Sequence, residues 1–300
     1  MQSLTLRENT PNFSRIVYGV WRLGDDSDTS VANVRAKIDA CLAQGITSFD
    51  HADIYGDYSC EEIFGRALAA DPALRKQMQL ISKCDILLTS DKFPNRRVKH
   101  YDTSAAYINE QVAQSLRNLH TDYLDLLLLH RPDPFMDHHE TGKALDALID
   151  SGKCAAVGVS NFKTWDWELL QSAMRHKLVT NQIEISLLER DCFVDGTLAH
   201  LQQQDIRPMA WSPLAGGRLF SEDAAALRLR PIMQGIAEAQ NCALDHVAIA
   251  WLLAHPAGIL PIVGTNNLDR VAQLSKAMDV EIDRETWFEL WTAAAGEEVP

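Results

Sequence analysis

The stretch from Tyr123 to Leu129 is too uniformly apolar for a strand with one wet face. A strand on a sheet surface alternates apolar and polar side chains. One covered on both faces does not, and parallel sheets are covered on both faces. Parallel neighbours cannot be joined by a tight turn, so each needs a long crossover, usually a helix. This one segment therefore calls for a chain in which strands and helices alternate.

The rest of the sequence supplies that alternation. A first strand is expected over residues 16–20. Val31, Val34, Ile38 and Leu42 recur at helical spacing and predict a helix over residues 29–44, capped by Thr29 or Ser30 and stopped by Gly45. A second strand ends at Asp50. Ser59-Cys60-Glu61-Glu62 reads as a capping box that opens a helix to about residue 69, and Asp71-Pro72 ends it. Further strands are expected over residues 78–84, 123–129, 155–159, 181–185, 206–211 and 258–263. Helical stripes lie at Ile108, Val112, Leu116 and Leu119, across residues 165–174, and across 268–278. Asp137-His138-His139-Glu140 reads as the start of a surface helix.

Eight β-then-α units can close on themselves, so a (β/α)8 TIM barrel of the α/β class is preferred to an open doubly wound sheet. No G-x-G-x-x-G and no Walker loop is present. Three segments exceed the rhythm. The one before the first strand suits a short N-terminal hairpin plugging the barrel bottom. The one between Trp211 and Pro231 is too long for a simple βα turn. The one after Asp283 suits an extra C-terminal helix and tail. With no linker or low-complexity tract, residues 1–300 are expected to form a single domain.

Asp50, Lys83 and His130 each end one of these runs, and Tyr55 follows the first by one turn. In parallel strands all four emerge at one end of the sheet, the C-terminal mouth where barrel active sites lie. The net charge of −13 argues against nucleic acid or an anionic membrane as partner, and leaves room for an anionic small molecule held by local arginines. The six cysteines form no C-x-x-C pair, which argues against a disulfide framework or zinc site and for reduced thiols in the cytoplasm. No leader-like N-terminus or run of membrane-spanning length is seen. Without a coiled coil or long apolar patch, a monomer is expected.

Phe49-Asp50-His51-Ala52-Asp53-Ile54-Tyr55-Gly56, with Lys83 and His130, resembles the catalytic tetrad region of the aldo-keto reductases. The resemblance continues through Gly158-Val159-Ser160-Asn161-Phe162, Asn181-Gln182-Ile183-Glu184, Trp211-Ser212-Pro213-Leu214-Ala215-Gly216-Gly217 and Gly264-Thr265-Asn266-Asn267-Leu268-Asp269-Arg270, covering about residues 16–280. It implies NADPH-dependent reduction of an aldehyde or ketone, with Tyr55 as general acid. Its phenol, ordinarily near pKa ~10, is expected to be lowered by roughly 1–3 units by the Lys83 ammonium. Asp50 would hold Lys83, and His130 would orient the carbonyl. Trp21, Tyr55 and His130 would line the substrate pocket.

The resemblance also implies a cofactor site. Ser160, Asn161 and Gln182 would meet the nicotinamide carboxamide, and Trp211 its ring, where the family commonly has Tyr. Ser212, Pro213, Leu214, Gly216 and Arg218 would fold over the pyrophosphate. Gly264, Thr265, Asn266 and Arg270 would open a helix whose free amides bind phosphate, Arg270 would clamp the 2′-phosphate, and Gln273 would contact the adenine. NADPH is expected over NADH, although Ile262 and Val263 follow Pro261 where a basic residue is common, and Leu274 stands where Asn is frequent. Two other readings fit parts of the sequence. One is a nicotinamide-binding regulatory subunit without turnover. The other is a metal-dependent hydrolase using His51, Asp53 and His130; the preferred reading has no metal.

Overall fold

The computed structural model describes residues 3–299. Eight parallel strands close into a barrel in sequence order: β1 Val17–Gly19, β2 Ser48–Asp50, β3 Gln79–Cys84, β4 Leu126–Leu129, β5 Val157–Ser160, β6 Asn181–Glu184, β7 Met209–Trp211 and β8 Leu260–Val263. Helices cross between them, so the expected (β/α)8 architecture is present. The strands are shorter than expected by one to three residues at most ends.

β4 shows why its sequence is apolar throughout. Leu126 and Leu128 point into the barrel and pack with Val17, Ile81, Met209 and Leu260. Leu127 and Leu129 point outward and pack with Ile108, Val112, Leu145 and Leu148 of the surrounding helices. Each buried leucine contributes about 1.5–3 kcal/mol. The expected hairpin pairs Ser3–Thr5 with Asn12–Ser14, and its Leu6 and Phe13 join the inward-facing residues. The helix Val31–Ala43 starts under the Ser30 cap, and Gly45 takes the left-handed conformation just past its end. Asp137 caps the helix His138–Asp150, and Asp283 caps the C-terminal helix Arg284–Ala295. No helix among the described residues is long and apolar enough to cross a membrane.

Two expectations need correction. Ser59 does not form a capping box. The chain reaches it through the left-handed Gly56, Asp57 and Tyr58, and Ser59 itself sits in the helical region. Its hydroxyl turns back to donate to the Gly56 carbonyl at 2.6 Å. The helix expected over residues 268–278 is one α turn, Leu268–Val271, followed by a 3₁₀ segment, Leu274–Asp279. Gln44 causes the break. Its amide donates to the Val271 carbonyl at 2.7 Å and accepts from the Ser275 N–H at 2.9 Å. Those are the two groups that would have bonded each other in a continuous helix. As expected, the segment after Trp211 is more than a simple turn: it holds a 3₁₀ turn, Ala215–Phe220, and a helix, Ala224–Gln240, that runs through Pro231. A second helix, Leu244–Leu253, follows.

Candidate active site

The inward periodicity of the strands carries through to their ends. Ile81 and Leu128 face the barrel interior, so Lys83 and His130, two residues on, share that face. Phe49 faces outward, so Asp50 faces in. Past Asp50 the chain keeps alongside β3, because the His51 N–H donates to the Ile81 carbonyl and the Asp53 N–H to the Lys83 carbonyl. A turn then brings Tyr55 over the mouth.

The Lys83 Nζ lies 2.8 and 2.7 Å from the two Asp50 carboxylate oxygens, 2.7 Å from the His51 carbonyl and 3.1 Å from the Tyr55 hydroxyl. An ammonium has three hydrogens, so these four acceptors use all of them. Because Tyr55 accepts from Lys83, its own hydroxyl proton is free to be donated elsewhere. The Tyr55 and His130 rings meet edge to face at 5.9 Å.

Burial pulls the Lys83 pKa down, but Asp50 and then Tyr55 outweigh it, so the ammonium lies above its ordinary value. The expected lowering of Tyr55 is not found. Burial raises the phenol and the Asp50 carboxylate adds to this, which together exceed the opposing pull of Lys83. The lysine's charge is shared with a bidentate carboxylate, so Tyr55 stays firmly protonated. Burial, then the charges of Lys83, Arg131 and Lys99, hold His130 well below its ordinary pKa, as a neutral imidazole. Its Nδ1 is buried without a partner.

On the other side of the mouth, Ser160 ends β5, Asn161 follows it in the left-handed conformation, Gln182 lies on β6 and Trp211 ends β7. The Ser160 hydroxyl donates to the Gln182 carbonyl at 2.8 Å. The Asn161 Nδ2 donates to the Ser160 Oγ at 2.9 Å and the His130 carbonyl at 3.2 Å. The Gln182 amide donates to Asp50 at 2.9 Å, tying this group to the tetrad. Ser160 and Asn161 thus have no donor left and can only accept, which fits the NH2 of a primary carboxamide.

The remaining expected residues lie on exposed loops. Ser212 and Gly216 adopt left-handed conformations around buried Pro213 and partly buried Leu214. Arg218 is ion-paired with Asp223 at 3.0 Å. After β8, a side chain on Gly264 would stand 2.9 Å from the Gly19 carbonyl, which explains the glycine. The Thr265 carbonyl accepts from the Tyr18 hydroxyl, and the Asn266 amide donates to the Arg22 carbonyl at 2.6 Å. Arg270 is exposed and makes no ion pair among the described residues, while its N–H donates to Asn267. Gln273 bonds the Asp269 carbonyl and Lys276, and Leu274 is buried in the core. Trp21 is 56% exposed after β1, with the Arg22 guanidinium over its ring.

Sequence reasoning passed over Arg131, whose guanidinium lies 5.8 Å from the Trp211 ring centre. Its position directly after His130 was the available signal. The metal reading does not gather its residues. His51 packs edge-on against Phe64 at 4.6 Å, and burial pushes its pKa down to about 3. Among the described residues no group of three or more His, Cys, Asp or Glu side chains is arranged to hold a metal. Asp53 instead belongs to a buried acidic set with Glu61 and Asp85, and neither of its carboxylate oxygens has a partner.

The sequence profile of the aldo/keto reductase family matches residues 15–293. A 6-dehydroglucose reductase of Agrobacterium fabrum (strain C58) is 56% identical, with the match covering all of both chains. An uncharacterised oxidoreductase of Bacillus subtilis, YcsN, is 46% identical, again over all of both. Among solved structures, an aldo/keto reductase from Klebsiella pneumoniae in complex with NADP and acetate superposes with a TM-score of 0.78 at 27% identity, covering 97% of this chain and 94% of that one.

Proposed function

This chain belongs to the aldo/keto reductase family of oxidoreductases, and from that premise we propose that it reduces the carbonyl of a small aldehyde or ketone with NADPH, Tyr55 acting as general acid. The full 56% match to a 6-dehydroglucose reductase supports an aldehyde on a hydroxylated, sugar-like carbon chain as the substrate class. The NADP complex of the Klebsiella relative supports the cofactor. The six free cysteines suit a reducing cytoplasm, and the protein acts there as a monomer.

Bound at the mouth, the reduced nicotinamide supplies the hydride. The protein's task is the proton. Tyr55 gives its free proton to the carbonyl oxygen as negative charge develops there, and the Lys83 ammonium stabilises the phenolate left behind. Asp50 keeps Lys83 charged and fixed. Neutral His130 bonds the carbonyl oxygen and sets its approach to Tyr55, while Trp21 borders the pocket. Ser160, Asn161 and Gln182 take the carboxamide, and Trp211 lies along the ring. Ser212, Pro213, Leu214, Gly216 and Arg218 would cover the pyrophosphate, Gly264, Thr265 and Asn266 would offer amides to phosphate, Arg270 would clamp the 2′-phosphate, and Gln273 would reach the adenine.

The observation that carries this reading is the 3.1 Å contact in which Lys83 donates to Tyr55 and leaves the phenol's proton unassigned. The test is NADPH oxidation with 6-dehydroglucose and with 4-nitrobenzaldehyde. Tyr55→Phe should bind NADPH unchanged and lose about 10³-fold in kcat. Full turnover by that variant removes Tyr55 from the acid role, and no turnover by the unaltered protein favours a regulatory subunit.

A further inference from the structure

Trp211 does more than present a flat ring. Its Nε1–H donates to the Asn161 Oδ1 at 2.9 Å. Asn161 is then bonded at both ends of its amide, since Nδ2 reaches the His130 carbonyl and the Ser160 Oγ. An amide oxygen has two lone pairs and an amide nitrogen two hydrogens. Both hydrogens and one lone pair are in use, which leaves a single acceptor position. The opposite orientation of the amide would set its NH2 against the indole N–H, and its oxygen against the His130 carbonyl. The same bond fixes the indole, so the plane of the Trp211 ring and the orientation of Asn161 are set together.

We infer that the Trp211 indole N–H is a positioning group that locks Asn161 as a pure acceptor, so that the site selects a cofactor bearing a carboxamide NH2. This rests on the NADPH reading above and adds a role that a phenylalanine ring at residue 211 could not fill.

The test compares calorimetric dissociation constants for NADPH and for its reduced 3-acetylpyridine analogue, which keeps the carbonyl but has methyl in place of NH2. The unaltered protein should prefer NADPH at least tenfold. Trp211→Phe should cut that preference at least threefold, chiefly by weakening NADPH, and Trp211→Tyr, which moves the donor, should do the same. In an Asn161→Ala background, Trp211→Phe should change NADPH affinity by less than twofold beyond a loss shared by both cofactors. An unchanged preference in both Trp211 variants overturns the inference, as does an unaltered protein that binds both cofactors equally. Failure of the unaltered protein to bind NADPH at all would overturn the cofactor reading instead.

Discussion

Lys83 and Arg218 are both cations at the barrel mouth, and they are held in opposite ways. Lys83 is fully buried, with four acceptors drawn from the end of β2 and the segment that follows it. Arg218 is exposed and pairs with Asp223, five residues along its own loop. The contrast extends to their surroundings. Groups at the ends of β2 and β3 bond to each other, and Gln182 of β6 reaches Asp50 across the barrel. Arg218, Arg270 and Gln273, after β7 and β8, bond within their own loops. Proton transfer needs charges whose positions do not relax, because preorganised groups act without reorganising during the step. A long anionic cofactor needs loops that can trade weak internal contacts for phosphate, and an exposed ion pair is worth only about 0–1 kcal/mol.

The largest expected effect tests the buried side. Lys83→Met leaves Asp50 as an uncompensated buried charge and should destabilise the protein by about 3–5 kcal/mol, as well as abolish measurable reduction. Replacing both, with Asp50→Asn and Lys83→Met, should recover much of the stability in urea denaturation and none of the activity. Recovery of neither would mean the pair is needed for folding itself, and the contrast between a chemical half and a recognition half would fail.

A smaller effect tests the exposed side. Arg270→Ala should weaken NADPH about tenfold, the equivalent of one lost charge-assisted bond, and leave NADH within twofold. Protein melting curves should not move, because the exposed side chain makes no ion pair among the described residues. Equal losses for both cofactors would show that Arg270 does not distinguish the 2′-phosphate.

The two halves also differed in how much the sequence disclosed. The buried half was legible because a two-residue period needs only one reference point. Once Leu128 is known to face inward, His130 follows, and Ile81 does the same for Lys83. The breaks elsewhere had no local signal. Val271 and Ser275 read as one helix, and the side chain that parts them, Gln44, lies more than two hundred residues earlier. Ser59 had the composition of a cap, but the left-handed run before it turned the hydroxyl away. The Trp211 to Asn161 bond links strand ends fifty residues apart, and no spacing rule reaches that far.

The smallest expected effect sharpens what counts as the rigid half. The Asp53 N–H donates to the Lys83 carbonyl, and burial, then the neighbouring Glu61 charge, raise the Asp53 pKa well above the ordinary carboxylate value. In the unfolded chain Asp53 would ionise near pH ~3.9. A raised folded pKa means its contribution to stability is complete below that value and declines as pH rises toward the folded pKa, by about 1.4 kcal/mol per pH unit at most. Asp53→Asn does not titrate, so it escapes this decline. The variant should melt no higher than the unaltered protein at pH 4, then gain on it by a few degrees between pH 5 and pH 7. If the melting difference is flat across that range, Asp53 ionises in the folded protein as readily as in the unfolded one. The carboxylate would then have found a cation such as Arg96, whose charge already acts on it, and the acidic set would be a latch for the loop bearing Arg96 rather than part of the fixed support under Lys83.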